Sequence, residues 1–231
     1  QALKLAEPPN KIECFDISNT QGAAMVASMV VFEHGTPSKK YYRHFNIQTV
    51  QGPDDFASME EVLTRRFKRW QSAQEKQAVG SKPDPSFAVL PDLLIVDGGK
   101  GQLGRAIKVL DTFNLTDIVP VAGLAKQQEE IFRPSIDQSI ILPRHSQGFY
   151  LIQRVRDEAH RFAITAHRKA RGKIGVASRL DAIPGIGPKR RRILLQHFGD
   201  IESIRQATLE EITNLPGITE EIAIALLAGL D

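Results

Sequence analysis

The chain carries one cysteine, one tryptophan and three tyrosines in 231 residues. A lone Cys14 closes no internal disulfide and builds no Cys-rich zinc pattern, so a disulfide framework and a zinc ribbon are both excluded. A reducing cytoplasm is the expected location. Long apolar runs are missing too. The longest, residues 23–32, is about half of the roughly 20 residues that a membrane span needs. The first residues do not pair a basic segment with an apolar stretch, which is the mark of a secretory signal. With 42% hydrophobic and 25% charged residues, collagen-like and wholly disordered readings fall away. The length suits one or two domains, each large enough to bury a core.

The chain has no shortage of charge, and the charge is unevenly spread. Residues 1–143 hold 16 Lys+Arg against 17 Asp+Glu, residues 144–192 hold 13 against 3, and residues 193–231 hold 1 against 7. The net values, −1, +10 and −6, sum to the +3 of the whole chain. A basic stretch of that density points to a polyanion, most simply nucleic acid, with a solvated helix face plus linker as the alternative.

Periodicity divides the chain. Residues 12–17, 24–33 and 39–47 read as strands separated by turn signals at 19–22 and 35–38, an antiparallel meander. Residues 54–77 have helical spacing, with Phe56, Met59, Val62, Leu63, Phe67 and Trp70 recurring every three or four positions. Residues 92–96 and 118–124 are short apolar runs typical of buried strands, and 102–113 between them reads as a helix. Ile131–Phe132 and 140–142 suggest a hairpin. Residues 147–168 read as a long basic helix with Tyr150, Leu151, Val155, Ala159, Phe162 and Ala163 on its buried stripe. Strands that pair first and then alternate with helices indicate an α/β fold with a mixed sheet. The expected organisation is a first domain over 1–171, a linker at 172–178 containing Gly172 and Gly175, and an all-helical domain over 179–231.

The tail contains an internal repeat. Ile183-Pro184-Gly185-Ile186-Gly187 recurs as Leu215-Pro216-Gly217-Ile218-Thr219, each copy leading into an apolar helix. A tight glycine turn lets backbone N–H groups at a helix start approach a phosphate. Lys189, Arg190, Arg191 and Arg192 follow the first copy and add charge. Such contacts hold the DNA backbone without reading sequence. Gly185, Ile186, Gly187, Lys189, Arg190, Gly217 and Thr219 are the DNA-binding candidates. The second copy departs from the pattern at Thr219 and continues into Glu220 and Glu221. Two plain helical hairpins are the bland alternative.

Three residues of the first domain suggest chemistry. Asp16 and Asp97 each close an apolar strand. If the strands are neighbours, the carboxylates converge at one sheet edge and form a hard-oxygen site suited to Mg²⁺ or Mn²⁺. His160, on the basic helix, could add a nitrogen ligand or a proton carrier. Read locally, each Asp is equally a turn residue or helix cap, and the histidine equally a surface residue. Gly98-Gly99-Lys100-Gly101 lacks the spacing and the Ser/Thr of a phosphate-binding P-loop, which excludes that kind of ATPase.

Taken together, Phe15-Asp16-Ile17-Ser18, Val96-Asp97-Gly98-Gly99-Lys100-Gly101-Gln102-Leu103, Arg156-Asp157-Glu158-Ala159-His160 and the doubled hairpin motif resemble the C-terminal half of the UvrC family of excision-repair nucleases. The resemblance runs from about Lys11 to the end. It implies an RNase H-like endonuclease fold followed by a tandem helix-hairpin-helix domain. It also implies an Asp–Asp–His catalytic triad at Asp16, Asp97 and His160, Mg²⁺ or Mn²⁺ as cofactor, and 5′ incision at a lesion in double-stranded DNA. Asp55, after Gly52-Pro53-Asp54, resembles a further acidic position of the family, though a charge on a helix N-terminus accounts for it as well. Asn19 stands where the family often has His. The family's N-terminal nuclease and the segment that engages its UvrB partner have no counterpart in this sequence, and a monomer with no membrane contact is expected. A non-catalytic DNA-binding scaffold and a helix-hairpin-helix glycosylase remain as alternatives; the second should be mainly helical.

Overall fold

The computed structural model describes residues 2–18, 25–50, 52–125, 130–136 and 138–230, without the side chains of 166–178. The turn expected at 19–22, and Asn19 with it, lies outside the described residues. The chain divides into two compact units, Gln1–His167 and Arg168–Asp231.

The first unit is built on one mixed sheet. Its strands are β1 (Lys11–Ser18), β2 (Val26–Glu33), β3 (Thr36–Pro37), β4 (Arg43–Asn46), β5 (Leu93–Asp97), β6 (Val121–Ala125) and β7 (Glu130–Phe132). Their order is β3-β2-β1-β5-β6-β7, with β4 also paired to β2. β1, β2 and β4 form the expected antiparallel meander. β1, β5 and β6 run parallel, and β7 returns antiparallel along β6. Central parallel strands are covered on both faces, and so β5 reads as an unbroken apolar run, Leu93 to Val96, with every residue buried. This is the RNase H-like mixed sheet implied by the resemblance, and its strand content excludes the mainly helical glycosylase.

Helices cover both faces, and β1 shows which covers which. Successive side chains of a strand point to opposite faces, so Glu13 and Asp16 face opposite ways. Glu13 meets Arg66 of α1 (Asp55–Ala78), while Asp16 meets His160 of α4 (Gln147–Asp181). On the α1 face, Glu13 and Arg66 are both fully buried. Arg66 donates to Glu13 from Nε at 2.9 Å and from Nη2 at 2.7 Å, and to the carbonyls of Val89 at 2.9 Å and Phe87 at 3.3 Å. Lys11 Nζ adds a contact to Glu13 at 3.0 Å and donates to the Val89 carbonyl at 2.7 Å. Burial alone would raise the Glu13 pKa, but the Arg66 and Lys11 charges and hydrogen bonds prevail and hold it below the usual carboxylate value.

Three expectations are corrected. Residues 39–47 are not one strand: a 3₁₀ turn, Lys39–Tyr41, precedes β4. Tyr150, expected on the buried stripe of α4, is 45% exposed, whereas Val155, Ala159 and Ala163 are buried as expected. The helix does not end at 168 but continues to Asp181 through Gly172 and Gly175. Each glycine costs a helix only about 1 kcal/mol relative to alanine, which the Ala, Arg, Lys and Ile around them can absorb. The backbone of 172–178 is therefore helical rather than an irregular linker.

The second unit is all-helical: α5 (Pro188–Phe198), α6 (Ile201–Gln206), α7 (Leu209–Thr213) and α8 (Glu220–Leu230). Ile183, Ile186, Leu194, Ile204, Ile212, Leu215, Ile218 and Leu226 are among its core residues. Short helices need explicit ends. Asp200 caps α6, and Thr208 with Glu211 forms a capping box on α7.

Candidate active site and nucleic-acid surface

β1 and β5 pair in parallel with Cys14 opposite Ile95 and Phe15 opposite Val96. One residue further along each strand stand Asp16 and Asp97. Neighbouring strands lie about 4.8 Å apart, and residues level with one another share a face, so the two carboxylates stand side by side at one end of the sheet. Both are largely buried, Asp16 at 3% exposure and Asp97 at 7%. Across β1, Asp16 pairs with buried Ser28 of β2. The helix-cap reading of Asp97 does not hold, because α3 (Lys100–Thr112) takes Gly99 as its cap residue and has no side-chain cap bond.

His160 reaches the same place from α4. Its Nδ1 is 3.8 Å from Asp16 Oδ2, and with Asp97, Arg156 and Asp157 it lines a cavity of about 210 Å³. The three residues singled out from the sequence thus meet at one end of the sheet. Among the described residues, no group of three or more His, Cys, Asp or Glu side chains is disposed to hold a metal ion. The buried carboxylate pair still suits a hard divalent cation in kind, since Mg²⁺ commonly takes only one or two protein carboxylates and fills its shell with water and phosphate oxygens. Cys14 is no candidate ligand. Burial, together with the Asp97 and Asp16 charges, pushes its thiol well above the usual value, and the thiol rather than the thiolate persists.

Contacts near His160 that the sequence did not reveal hold it over the sheet. Tyr42 Oη donates to Glu158 Oε1 at 3.0 Å, and Arg161 grips the same carboxylate at 2.6 and 2.7 Å. The Arg161 hydrogen bond lowers the Glu158 pKa, against burial and with help from Tyr42. Phe162 stacks on His44, with ring centroids 3.9 Å apart, and meets Tyr42 edge-on at 5.0 Å. Contacts across more than a hundred residues therefore flank His160 on both sides in sequence.

Asp54 caps α1, accepting from the N–H groups of Phe56 at 3.0 Å and Ala57 at 2.9 Å. Asp55 is exposed in the first turn and is not among the described residues that line the cavity. Phe56 lies against the first turn of α3, since a Cβ on Gly101 would sit 2.2 Å from its ring.

In the second unit, Gly185 and Gly217 both have left-handed backbone, φ +84 and +78, which side-chain-bearing residues rarely adopt. Gly187 caps α5 without a side-chain bond, and Lys189 is exposed. Two candidates differ from expectation. Ile186 buries its side chain in the core, and its N–H donates to the Ile183 carbonyl at 3.1 Å. Arg190 turns inward: Nε donates to the Gly217 carbonyl at 2.6 Å and Nη1 to the Gly185 carbonyl at 2.8 Å, tying the two hairpin turns together. Thr219 is exposed, and its carbonyl starts α8 by accepting from Ala223 at 3.0 Å. Arg191 pairs with Asp181.

The family model of the UvrC RNAse H endonuclease domain matches residues 1–164. That of the SAM-like helix-hairpin-helix tandem matches residues 177–231. UvrABC system protein C of Thermobifida fusca is 49% identical over 238 residues, covering 96% of this chain and 36% of that protein. The protein of the same name from Mycobacterium marinum is 49% identical over 235 residues, covering 100% of this chain and 36% of its own length. The chain thus spans about a third of the length of these curated relatives. Among solved structures, Ciona intestinalis Endonuclease V in complex with a 24mer DNA containing an inosine followed by a ribo-adenosine is 17% identical, covering 51% of this chain and 46% of that one. Its TM-score of 0.33 is too low to carry an argument.

Proposed function

The chain belongs to the UvrC family, and on that premise we propose that it is a divalent-metal-dependent DNA endonuclease with its own DNA-docking unit. It hydrolyses one phosphodiester on the 5′ side of a lesion in nucleotide excision repair. The observation that carries this reading is the buried pair Asp16 and Asp97, level on adjacent parallel strands, with His160 facing Asp16. Asp16 and Asp97 would hold Mg²⁺ or Mn²⁺, which when bound supplies Lewis-acid polarisation of the phosphate and a more acidic attacking water. His160 stands beside this pair, its Nδ1 3.8 Å from Asp16 Oδ2. Its ring is 60% exposed, so a proton taken from the site passes on to solvent. Partner proteins bring the lesion, UvrB among them, acting through a part of the relatives that this chain does not span.

Metal removal tests the reading. With a lesion-bearing duplex and its partner proteins, incision should stop in EDTA and return with Mg²⁺ or Mn²⁺, while DNA binding stays within a few-fold. The second reading, a non-catalytic scaffold, draws on the lack of a three-ligand cluster among the described residues. Incision that never appears with either metal would favour it.

The hairpin unit grips the phosphate backbone through N–H groups near Gly185, Gly187 and Gly217 and through Lys189, with Thr219 at the weaker second turn. Binding should be sequence-tolerant and fall with salt. Lys189→Ala should remove about one unit from the log–log salt slope. Arg190→Lys should leave the slope nearly unchanged but lower the stability of this unit by about 1–3 kcal/mol, because a single ammonium nitrogen does not reproduce the fork whose Nε and Nη1 reach the two carbonyls. Anisotropy titrations at several salt concentrations, paired with thermal melts, separate the two. A salt slope that falls for Arg190→Lys and not for Lys189→Ala would reverse these roles.

A further inference from the structure

We propose that Ser28 is a positioning residue for Asp16: its hydroxyl donates to the Asp16 carboxylate and fixes it for the divalent cation. The proposal rests on the nuclease reading above. Asp16 of β1 and Ser28 of β2 are register partners. Residues directly opposite on antiparallel strands share a face, with Cβ atoms about 4.5–5.5 Å apart. Ser28 therefore stands beside Asp16 on the side of the sheet that His160 reaches, across β1 from Asp97.

Ser28 is 0% exposed, and its Oγ has no hydrogen-bond partner among the described residues. A buried hydroxyl in that state costs about as much as a lost hydrogen bond, and alanine would occupy the position without that cost. Position 28 thus carries a polar group that packing alone does not require. Its neighbours level across the sheet are Asp16 on one side and His44 on the other. The His44 ring is stacked on Phe162, with centroids 3.9 Å apart. The Asp16 carboxylate is the stronger acceptor of the two, because hydrogen bonds to an ionised group are roughly twice as strong as neutral ones. With about four lone-pair sites, it takes this donor alongside its other contacts. A serine hydroxyl has three staggered positions about one bond, so it turns towards a neighbouring strand without the backbone moving. Carboxylates that hold a metal are themselves hydrogen-bonded, and losing such a partner typically weakens metal binding or activity by roughly 10–100-fold.

The test is Ser28→Ala, which removes only the hydroxyl oxygen. Mn²⁺ binding to the DNA-free chain, followed calorimetrically, should weaken by roughly 10–100-fold. The Mn²⁺ concentration for half-maximal incision of a lesion-bearing duplex, with partner proteins present, should rise by a similar factor. Without metal, the variant should melt at the same temperature as the unmodified protein or a few degrees higher, because an unsatisfied buried hydroxyl is gone. Saturating Mn²⁺ should then raise its melting temperature by less. A serine that serves packing alone would do the reverse, lowering the metal-free melting temperature and leaving Mn²⁺ binding unchanged. Two outcomes overturn the proposal: Mn²⁺ binding by Ser28→Ala within twofold of the unmodified protein, or a metal-free melting temperature several degrees lower. If Asp16→Asn itself binds Mn²⁺ and incises normally, the nuclease reading fails instead.

Discussion

Asp16→Asn, and separately Asp97→Asn, should lower incision of a lesion-bearing duplex by about 10³-fold or more, with DNA affinity changed by no more than a few-fold. Each substitution removes one negative charge from a pair whose proposed work is to hold a divalent cation, and neither touches the hairpin unit. Asparagine is nearly isosteric, so the strand ends should keep their geometry. Removing one of two adjacent buried carboxylates also relieves like-charge repulsion, and both variants should melt at or slightly above the temperature of the unmodified protein. Near-normal incision by either variant, with its partners present, would falsify the catalytic assignment. Loss of incision together with a large fall in melting temperature would point to a structural role.

The second large effect concerns stability. Arg66→Ala leaves Glu13 and Lys11 in a buried pocket without the guanidinium that bridges Glu13 to the Phe87 and Val89 carbonyls. Breaking one partner of a buried ion pair costs about 3–5 kcal/mol, which for a unit of this size lowers the melting temperature by on the order of 10 °C. Replacing both members with apolar residues, Glu13→Leu with Arg66→Met, should recover part of the loss, because the only charge then left without its ion pair is Lys11, which keeps its bond to the Val89 carbonyl. The pair also sets a pH dependence. Glu13 has a lower pKa folded than unfolded, so its contribution is complete above the unfolded carboxylate range, about 4.3. It is lost only as pH falls through the lower folded value. Thermal melts from pH 7 down to 3 should show the gap between the two proteins closing at the acid end. A constant gap over that range, or a loss below 1 kcal/mol at pH 7, would show that the network does not hold α1 to the sheet.

What the sequence made legible follows from the range of the interactions. The β1 and β5 strands and the meander were readable because burial on two faces writes continuous apolar runs. The repeat was readable because glycine and proline are local signals. Asp16, Asp97 and His160 were nominated from strand ends and a motif, but their proximity depends on the pairing of β1 with β5, which no local pattern contains. Nothing local distinguishes Arg66 from its neighbours in Arg65-Arg66-Phe67-Lys68-Arg69, because its partner Glu13 is 53 residues away. Glu158 was part of a recognised motif, yet its hydrogen bond to Tyr42 spans 116 residues. The end of α4 was misplaced because two glycines were weighted as breakers.

The Arg190 bridge separates shape from spelling. The guanidinium holds carbonyl oxygens, which every residue type supplies, so the link between the two turns constrains where the second backbone goes and almost nothing about which side chains it displays. The departures at Thr219, Glu220 and Glu221 fall outside this constraint, since the bond takes only the Gly217 carbonyl and leaves the side chains that follow unconstrained. A repeat tied together in this way can specialise one copy without relaxing the pair.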